Sequence, residues 1–270
     1  MPRVDRRQFA SVLAGALLAP ATPSLVSAQT GSVPASGEEL VRRMHDAYDG
    51  RWFKTVTFVQ RTTMHPPGGP ERVMTWYEAV QAPSRLRIDI GNPSEGNGVL
   101  FTADSTYRFR SGKLVGAMGE GNPFMPFVVS LYTQPVERTL TEMARERYDL
   151  SAIRTDTLDG RRVFVVGARS ADDVTSPQFW VDTERLVTLR MIISTPTDSG
   201  PRVVDARLRN WVPVGGGWLA TVVDISIGGS LVQKEEYSDW RGDVPLPDAL
   251  FDPAQWSTAP HWAAGRNDKQ

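Results

Sequence analysis

Three histidines and a pair of neighbouring aspartates are the residue types in this chain with most to offer to acid–base or metal chemistry. His45, His65 and His261 stand far apart, and no H-E-x-x-H spacing joins any two of them on one helical face. With no cysteine present, a metal would have to be held by carboxylates. Asp172-Asp173 is the obvious pair, and its polar, loop-like surroundings read as a solvated turn. The G-x-S-x-G turn that exposes a nucleophilic serine is absent. Gly116, Gly119 and Gly121 imitate a nucleotide-binding fingerprint, but they run into Pro123 without the strand-to-helix unit that such a fingerprint needs. Gly215-Gly216-Gly217, between Pro213 and Trp218, reads as a hairpin loop. Scattered Asp, Glu and Ser could still converge in space, which keeps a hydrolase as a third reading. The expectation is a protein without catalysis, cofactor or metal.

The conspicuous side chains are apolar. Eight tryptophans, ten phenylalanines and eight methionines fill a core first, and Trp76, Phe101, Trp180 and Trp218 have that ordinary reading. Phe124-Met125-Pro126-Phe127-Val128-Val129-Ser130-Leu131-Tyr132 is different, because it is apolar nearly all round. A helix of that kind needs apolar contact on every side. Deep burial would provide it, and so would a lid whose inner side covers an apolar cavity. Methionine and phenylalanine suit a lid, since they adapt to ligands of varied shape.

The elements that must position these residues are mostly strands. Ser36-Gly37-Glu38-Glu39 is a capping box, followed by Leu40, Met44 and Ala47 at helical spacing and widened by Val41 and Tyr48, so residues 37–49 are predicted as an amphipathic helix. Strands are expected over 54–64, 72–80, 84–90, 99–109, 113–118, 162–168, 178–182, 186–194, 202–211, 217–227 and 231–240. Their composition is β-branched and aromatic, with turn residues between them. Leu86, Ile88 and Ile90 alternate with Arg85, Arg87 and Asp89, the pattern of a sheet with one wet face. A second helix is predicted from Pro135 to Tyr148. No β–α–β rhythm appears, which excludes a nucleotide-binding α/β fold. About ten or eleven antiparallel strands with so few helices point to a mainly β fold. The expected form is an incomplete antiparallel barrel with a helical lid.

The first 28 residues set the address. Arg3, Arg6 and Arg7 precede an apolar stretch from Phe9 to Ala19, and Val26-Ser27-Ala28 closes it with the small residues that signal peptidase cuts. The stretch is too short for a bilayer of about 30 Å, which takes about 20 residues. Arg6-Arg7-Gln8-Phe9 resembles a twin-arginine export signal, with an ordinary Sec signal as the alternative. Without cysteine the chain carries neither a disulfide nor the acylation point of a bacterial lipoprotein. Cleavage removes three arginines and one aspartate, so net charge goes from −1 to −3 and no basic stripe remains for nucleic acid. The expected organisation is a leader over 1–28, a linker over 29–35, one domain over 36–256 and a polar tail over 257–270, in a soluble periplasmic protein.

In their order, several short motifs resemble the periplasmic lipoprotein-carrier superfamily, which includes LolA, the LppX type and the amino-terminal domain of the RseB/MucB regulators. They are Thr57-Phe58-Val59-Gln60 after the opening helix, Val80-Gln81-Ala82-Pro83 before Leu86, Gly121-Asn122-Pro123-Phe124-Met125 in mid-chain, Phe179-Trp180-Val181-Asp182 through Leu189-Arg190-Met191, and Leu250-Phe251-Asp252-Pro253. The resemblance implies a half-barrel that encloses acyl chains, with no cofactor and no catalysis. It also implies an arginine just before the turn proline, bonded to the lid and gating the cavity. Here that position is Ala82, with Arg85 and Arg61 nearby in sequence. The implied partners are lipid or lipoprotein acyl chains and a membrane-associated donor or receptor. The expected lining is Phe58, Trp76, Leu86, Ile88, Phe124, Met125, Phe127, Leu131, Trp180 and Met191. The alternative is an envelope-signalling or scaffold module that grips a protein partner.

Overall fold

The computed structural model describes residues 32–195, 197–198 and 200–264. The leader expected over 1–28, the first three residues of the linker and the last six residues of the expected tail lie outside the described residues. Contacts divide the chain into Met1–Ser32 and Val33–Gln270, and the fold belongs to the second unit.

It opens with α1 (Gly37–Tyr48). Ser36 Oγ accepts the Glu39 N–H at 3.2 Å, and the Glu39 carboxylate reaches back to the Ala35 N–H at 2.7 Å, so early amide groups are satisfied from both directions. Leu40, Val41 and Met44 are fully buried, which fixes the face that α1 turns inward.

One thirteen-stranded antiparallel sheet follows. Its first half is β1 (Thr55–Met64), β2 (Arg72–Gln81), β3 (Arg85–Ile90), β4 (Gly98–Phe101), β5 (Thr106–Arg110) and β6 (Lys113–Met118). Its second half is β7 (Ile153–Leu158), β8 (Arg161–Val166), β9 (Gln178–Asp182), β10 (Thr188–Thr195), β11 (Arg202–Val214), β12 (Gly217–Ile227) and β13 (Ser230–Gly242). Within each half every strand neighbours its predecessor in sequence, and β1 pairs with β13 to join the two meanders. Edges β6 and β7 stay unpaired with each other, so the sheet is not closed into a barrel. Register shifts at Thr57/Val59, Arg108/Phe109, Thr188/Arg190 and Ile225/Ser226 mark bulges, which bend strands.

The expected fold class holds, with two strands more than expected. The run 99–109 is two strands, because Thr102 and Ser105 close a turn (Thr102 N to Ser105 O, 2.8 Å). The sheet also gains β7, a half-buried edge strand whose polar Arg-Thr-Asp-Thr interior gives little β signal.

Between the edges, a turn of π-helix (Pro126–Ser130) runs straight into the short α2 (Leu131–Thr133), and α3 (Val136–Arg145) follows. These pieces and α1 pack together against the inner face of the sheet, around the main core. The outer face carries a second cluster in which Leu250, Phe251 and Trp256 cover Ala79, Leu100 and Phe109. Packing on that face continues past Trp256, since Ala263 is buried and His261 Nε2 lies 2.9 Å from Asp89 Oδ2. The stretch read as the beginning of a polar tail is therefore docked at least to Ala263. No helix among the described residues is long and apolar enough to cross a membrane.

Candidate functional site

Residues of alternate parity on the inner face build one side of a cavity of about 360 Å³. Val56 and Phe58 come from β1, Trp76, Glu78 and Val80 from β2, and Leu86 and Ile88 from β3. The register sets Glu78 between Phe58 and Ile88, and Val80 between Val56 and Leu86. Met191 of β10, Ala206 and Leu208 of β11, Val223 and Ile225 of β12, and Gln233, Glu235 and Tyr237 of β13 continue the wall. Asn122, Phe124, Met125, Val128 and Val129 close it from above.

The covering segment is pinned on two sides. Ser130 Oγ donates to the Pro83 carbonyl at 2.6 Å, and Thr188 Oγ1 donates to the Phe127 carbonyl at 3.2 Å. Farther along, the Tyr132 ring stacks on Trp52 at 3.8 Å and its hydroxyl donates to the Leu186 carbonyl at 3.0 Å. The lid thus touches the turn after β2 directly, through a serine hydroxyl and a backbone carbonyl. Neither arginine near Ala82 serves there: Arg85 binds Gln81 and Asp248, and Arg61 binds Thr63 and Glu236.

Seven of the ten expected lining residues border the cavity: Phe58, Trp76, Leu86, Ile88, Phe124, Met125 and Met191. Phe127, Leu131 and Trp180 do not. Phe127 turns away from the cavity into the core, with its ring 5.2 Å from Tyr148 and 5.3 Å from Phe179. Leu131 is fully buried in α2, which packs on α1. Thus the all-round apolar segment serves both of its readings: one side covers the cavity and the other is core. Trp180 lies on the opposite sheet face from Phe179, with Arg190 and Arg154 at 4.8 and 5.5 Å from its ring. Every residue of β9 is buried, so no polar alternation reveals which parity faces inward.

Polar residues in the wall escaped the sequence reading. Glu78 is only 4% exposed, and neither a hydrogen bond nor an ion pair reaches its carboxyl among the described residues. Burial, reinforced by the charge of Glu235, holds that carboxyl well above the usual range. Burial also raises Glu235, against the opposing hydrogen bonds from the Tyr237 hydroxyl and the Gln233 amide, both at 2.5 Å. The Trp76 indole N–H and the Gln60 carbonyl oxygen are buried without a partner. A signal for Glu78 was present: it shares parity with Trp76 and Val80 in the strand Trp76-Tyr77-Glu78-Ala79-Val80. Gln233, Glu235 and Tyr237 also share one parity, but their polarity reads as a wet face. Among the described residues, no group of three or more His, Cys, Asp or Glu could hold a metal ion.

No protein-family model and no curated protein sequence matches the chain. Solved structures do resemble it. A domain from Vibrio parahaemolyticus described as an outer-membrane lipoprotein-sorting protein aligns with TM-score 0.55 at 13% identity, over 82% of this chain and 98% of its own. A DUF1329 family protein from Desulfovibrio piger aligns at 0.53 and 14%, over 80% and 95%. A LolA superfamily protein from Nitrosomonas europaea aligns at 0.52 and 13%, over 78% and 97%. At such identities the likeness speaks for architecture: the chain has a LolA-like fold.

Proposed function

We propose that this chain is a periplasmic carrier that holds an apolar ligand, the acyl chains of a lipoprotein or another lipid, in the lidded cavity and performs no chemistry on it. The observation that carries this reading is the cavity itself. Its volume falls within the range of about 300–1,000 Å³ usual for ligand sites, and its wall is mostly aliphatic and aromatic. Each CH₂ moved from water into such a wall contributes about 0.8 kcal/mol, so an alkyl chain supplies affinity without any further contact. Release then requires the segment from Asn122 to Val129 to move, and the bonds from Ser130 and Thr188 resist that movement. The export-type leader supports the address, and the fold is shared with a lipoprotein-sorting domain. A membrane-associated donor or receptor would complete the route.

The test combines native mass spectrometry of the mature protein, for co-purified lipid, with titration of a neutral fluorescent alkyl probe. Lipid is expected in the native spectrum. Phe124→Asp, which sets a charge in the half-buried part of the lid wall, is expected to weaken probe binding by at least about tenfold. An apo mass together with no probe binding would remove the carrier reading.

A further inference from the structure

The charged side chains in the cavity wall are both acids, and their placement says more about the ligand than the cavity's volume does. β1 lies between β2 and β13, so Glu78 and Glu235 reach the cavity from strands on either side of it. In register Glu78 faces Phe58 and Glu235 faces Thr62, four residues farther along β1, so both acids lie beyond Val56 on the Met64 side. At the other end the wall is Phe53, Val56, Val80 and Leu86. The cavity is therefore amphipathic along its length. Glu235 is oriented by Tyr237 and Gln233, whereas the buried Glu78 borders the cavity with no partner for its carboxyl among the described residues. A buried carboxyl without a partner is costly, and one that borders a cavity can gain its partner from a ligand.

We infer that the cavity selects amphiphiles whose polar end is an ammonium group, received at the Glu78 carboxyl on the side toward Glu235, with the alkyl chain directed toward Val80 and Leu86. This rests on the carrier reading above. An ammonium has three donors and no acceptor, so it matches a site whose available groups are mainly carboxylate oxygens. Trp76 and Tyr237 add ring faces to the same wall, which favour a cation. A fatty carboxylate or a phosphate would meet two acids and no basic side chain. The groups around Glu78 allow a proton count. β13 contributes Glu235 and Tyr237, while β1, β3, β12 and the lid contribute no titratable residue to the wall. Burial favours the protonated Glu78 in the empty cavity. When the alkylammonium enters with its own three protons, the Glu78 O–H bond breaks, the proton leaves to solvent, and the carboxylate pairs with the cation. Up to one proton is released per ligand.

Calorimetric titration of the delipidated mature protein at pH 7 with dodecylamine, dodecan-1-ol and dodecanoate tests this. The amine is expected to bind at least about tenfold tighter than the alcohol, with dodecanoate weakest. In two buffers of different ionisation enthalpy, the heat for the amine is expected to differ by a released proton, and the heat for the alcohol to stay the same. Glu78→Gln is expected to bring the amine down to the alcohol's affinity and to abolish the proton release. Glu235→Gln, a second variant in case the first fails to fold, is expected to reduce the amine preference. Equal binding of amine and alcohol with no proton release overturns the ammonium site and leaves the apolar carrier standing. If no alkyl compound binds, both proposals fall.

Discussion

At the residue scale, two clusters of buried acidic groups have opposite pH behaviour. Glu78 and Glu235 have carboxyls raised above their ordinary 4.5, mainly by burial. The native state then holds protons that the unfolded chain releases, so the stability they contribute is fully present below about 4.5 and is lost as pH rises through the raised values. Denaturant midpoints of the ligand-free protein are expected to fall from pH 5 to pH 8, and to fall less in Glu78→Gln; equal slopes would contradict this. The other cluster lies on the outer face. Arg87 and Asp89 form a bidentate pair at 2.8 and 2.9 Å, Arg87 also donates to the carbonyls of Leu250 and Trp256, and its guanidinium lies 3.8 Å from the Trp256 ring. Burial pushes the Asp89 carboxyl up, but the hydrogen bonds and charges of His261 and Arg87 outweigh it and hold the group below 3.8. That contribution is present above about 3.8 and is lost as pH falls through the lowered value. Arg87→Met, which strands a buried carboxylate, is expected to cost about 3–5 kcal/mol in urea denaturation. A cost below about 1 kcal/mol would show that the Arg87–Asp89 pair is not needed.

At the element scale, the lid segment is divided between two tasks, and substitutions along it are expected to separate them. Phe124 borders the cavity from a half-buried position, whereas Phe127 is core against Phe179 and Tyr148. Phe127→Asp is therefore expected to unfold the protein by circular dichroism, while Phe124→Asp remains folded and loses alkyl binding. The opposite pattern would exchange their roles. At β4, a Cβ on Gly98 would stand 2.1 Å from the Ile88 carbonyl oxygen and 2.9 Å from the Trp256 ring. Gly98→Ala must push β3 and the terminal segment apart, and a loss of about 1–3 kcal/mol is expected in thermal or urea unfolding. The elements themselves were largely legible. Capping identified α1, and alternation identified β3. The polar interior of β7 hid that strand, and only the sheet shows that Ile153 and Leu158 pair with Val166 and Arg161.

At the scale of the whole molecule, two meanders become one sheet through β1 and β13, the first and last strands in chain order. The outer face then needs its own cover, supplied by the chain after β13. Ending the chain at Asp243 removes Leu250, Phe251 and Trp256 from Ala79, Leu100 and Phe109. The shortened protein is expected to bind a dye for exposed apolar surface and to lose cooperative unfolding; an unchanged transition would mean that this cover is dispensable.

Periodicity and turn chemistry, which are local, determined the mainly β class, the antiparallel order, the opening helix and the apolar segment that becomes the lid. Seven of the ten expected lining residues border the cavity because alternation along strands such as β1, β2 and β3 places every second side chain on one face. Only the tertiary structure decided the rest. Phe127, Leu131 and Trp180 are as apolar as the residues that line the cavity, and sequence carries no label for which apolar side meets empty space and which meets core. Nor does a glutamate in a strand announce its burial. Glu78 and Glu235 belong to β2 and β13, far apart in the chain, and they meet one cavity because β1 pairs with both strands. Their chemistry depends on that non-local pairing and on the water it excludes.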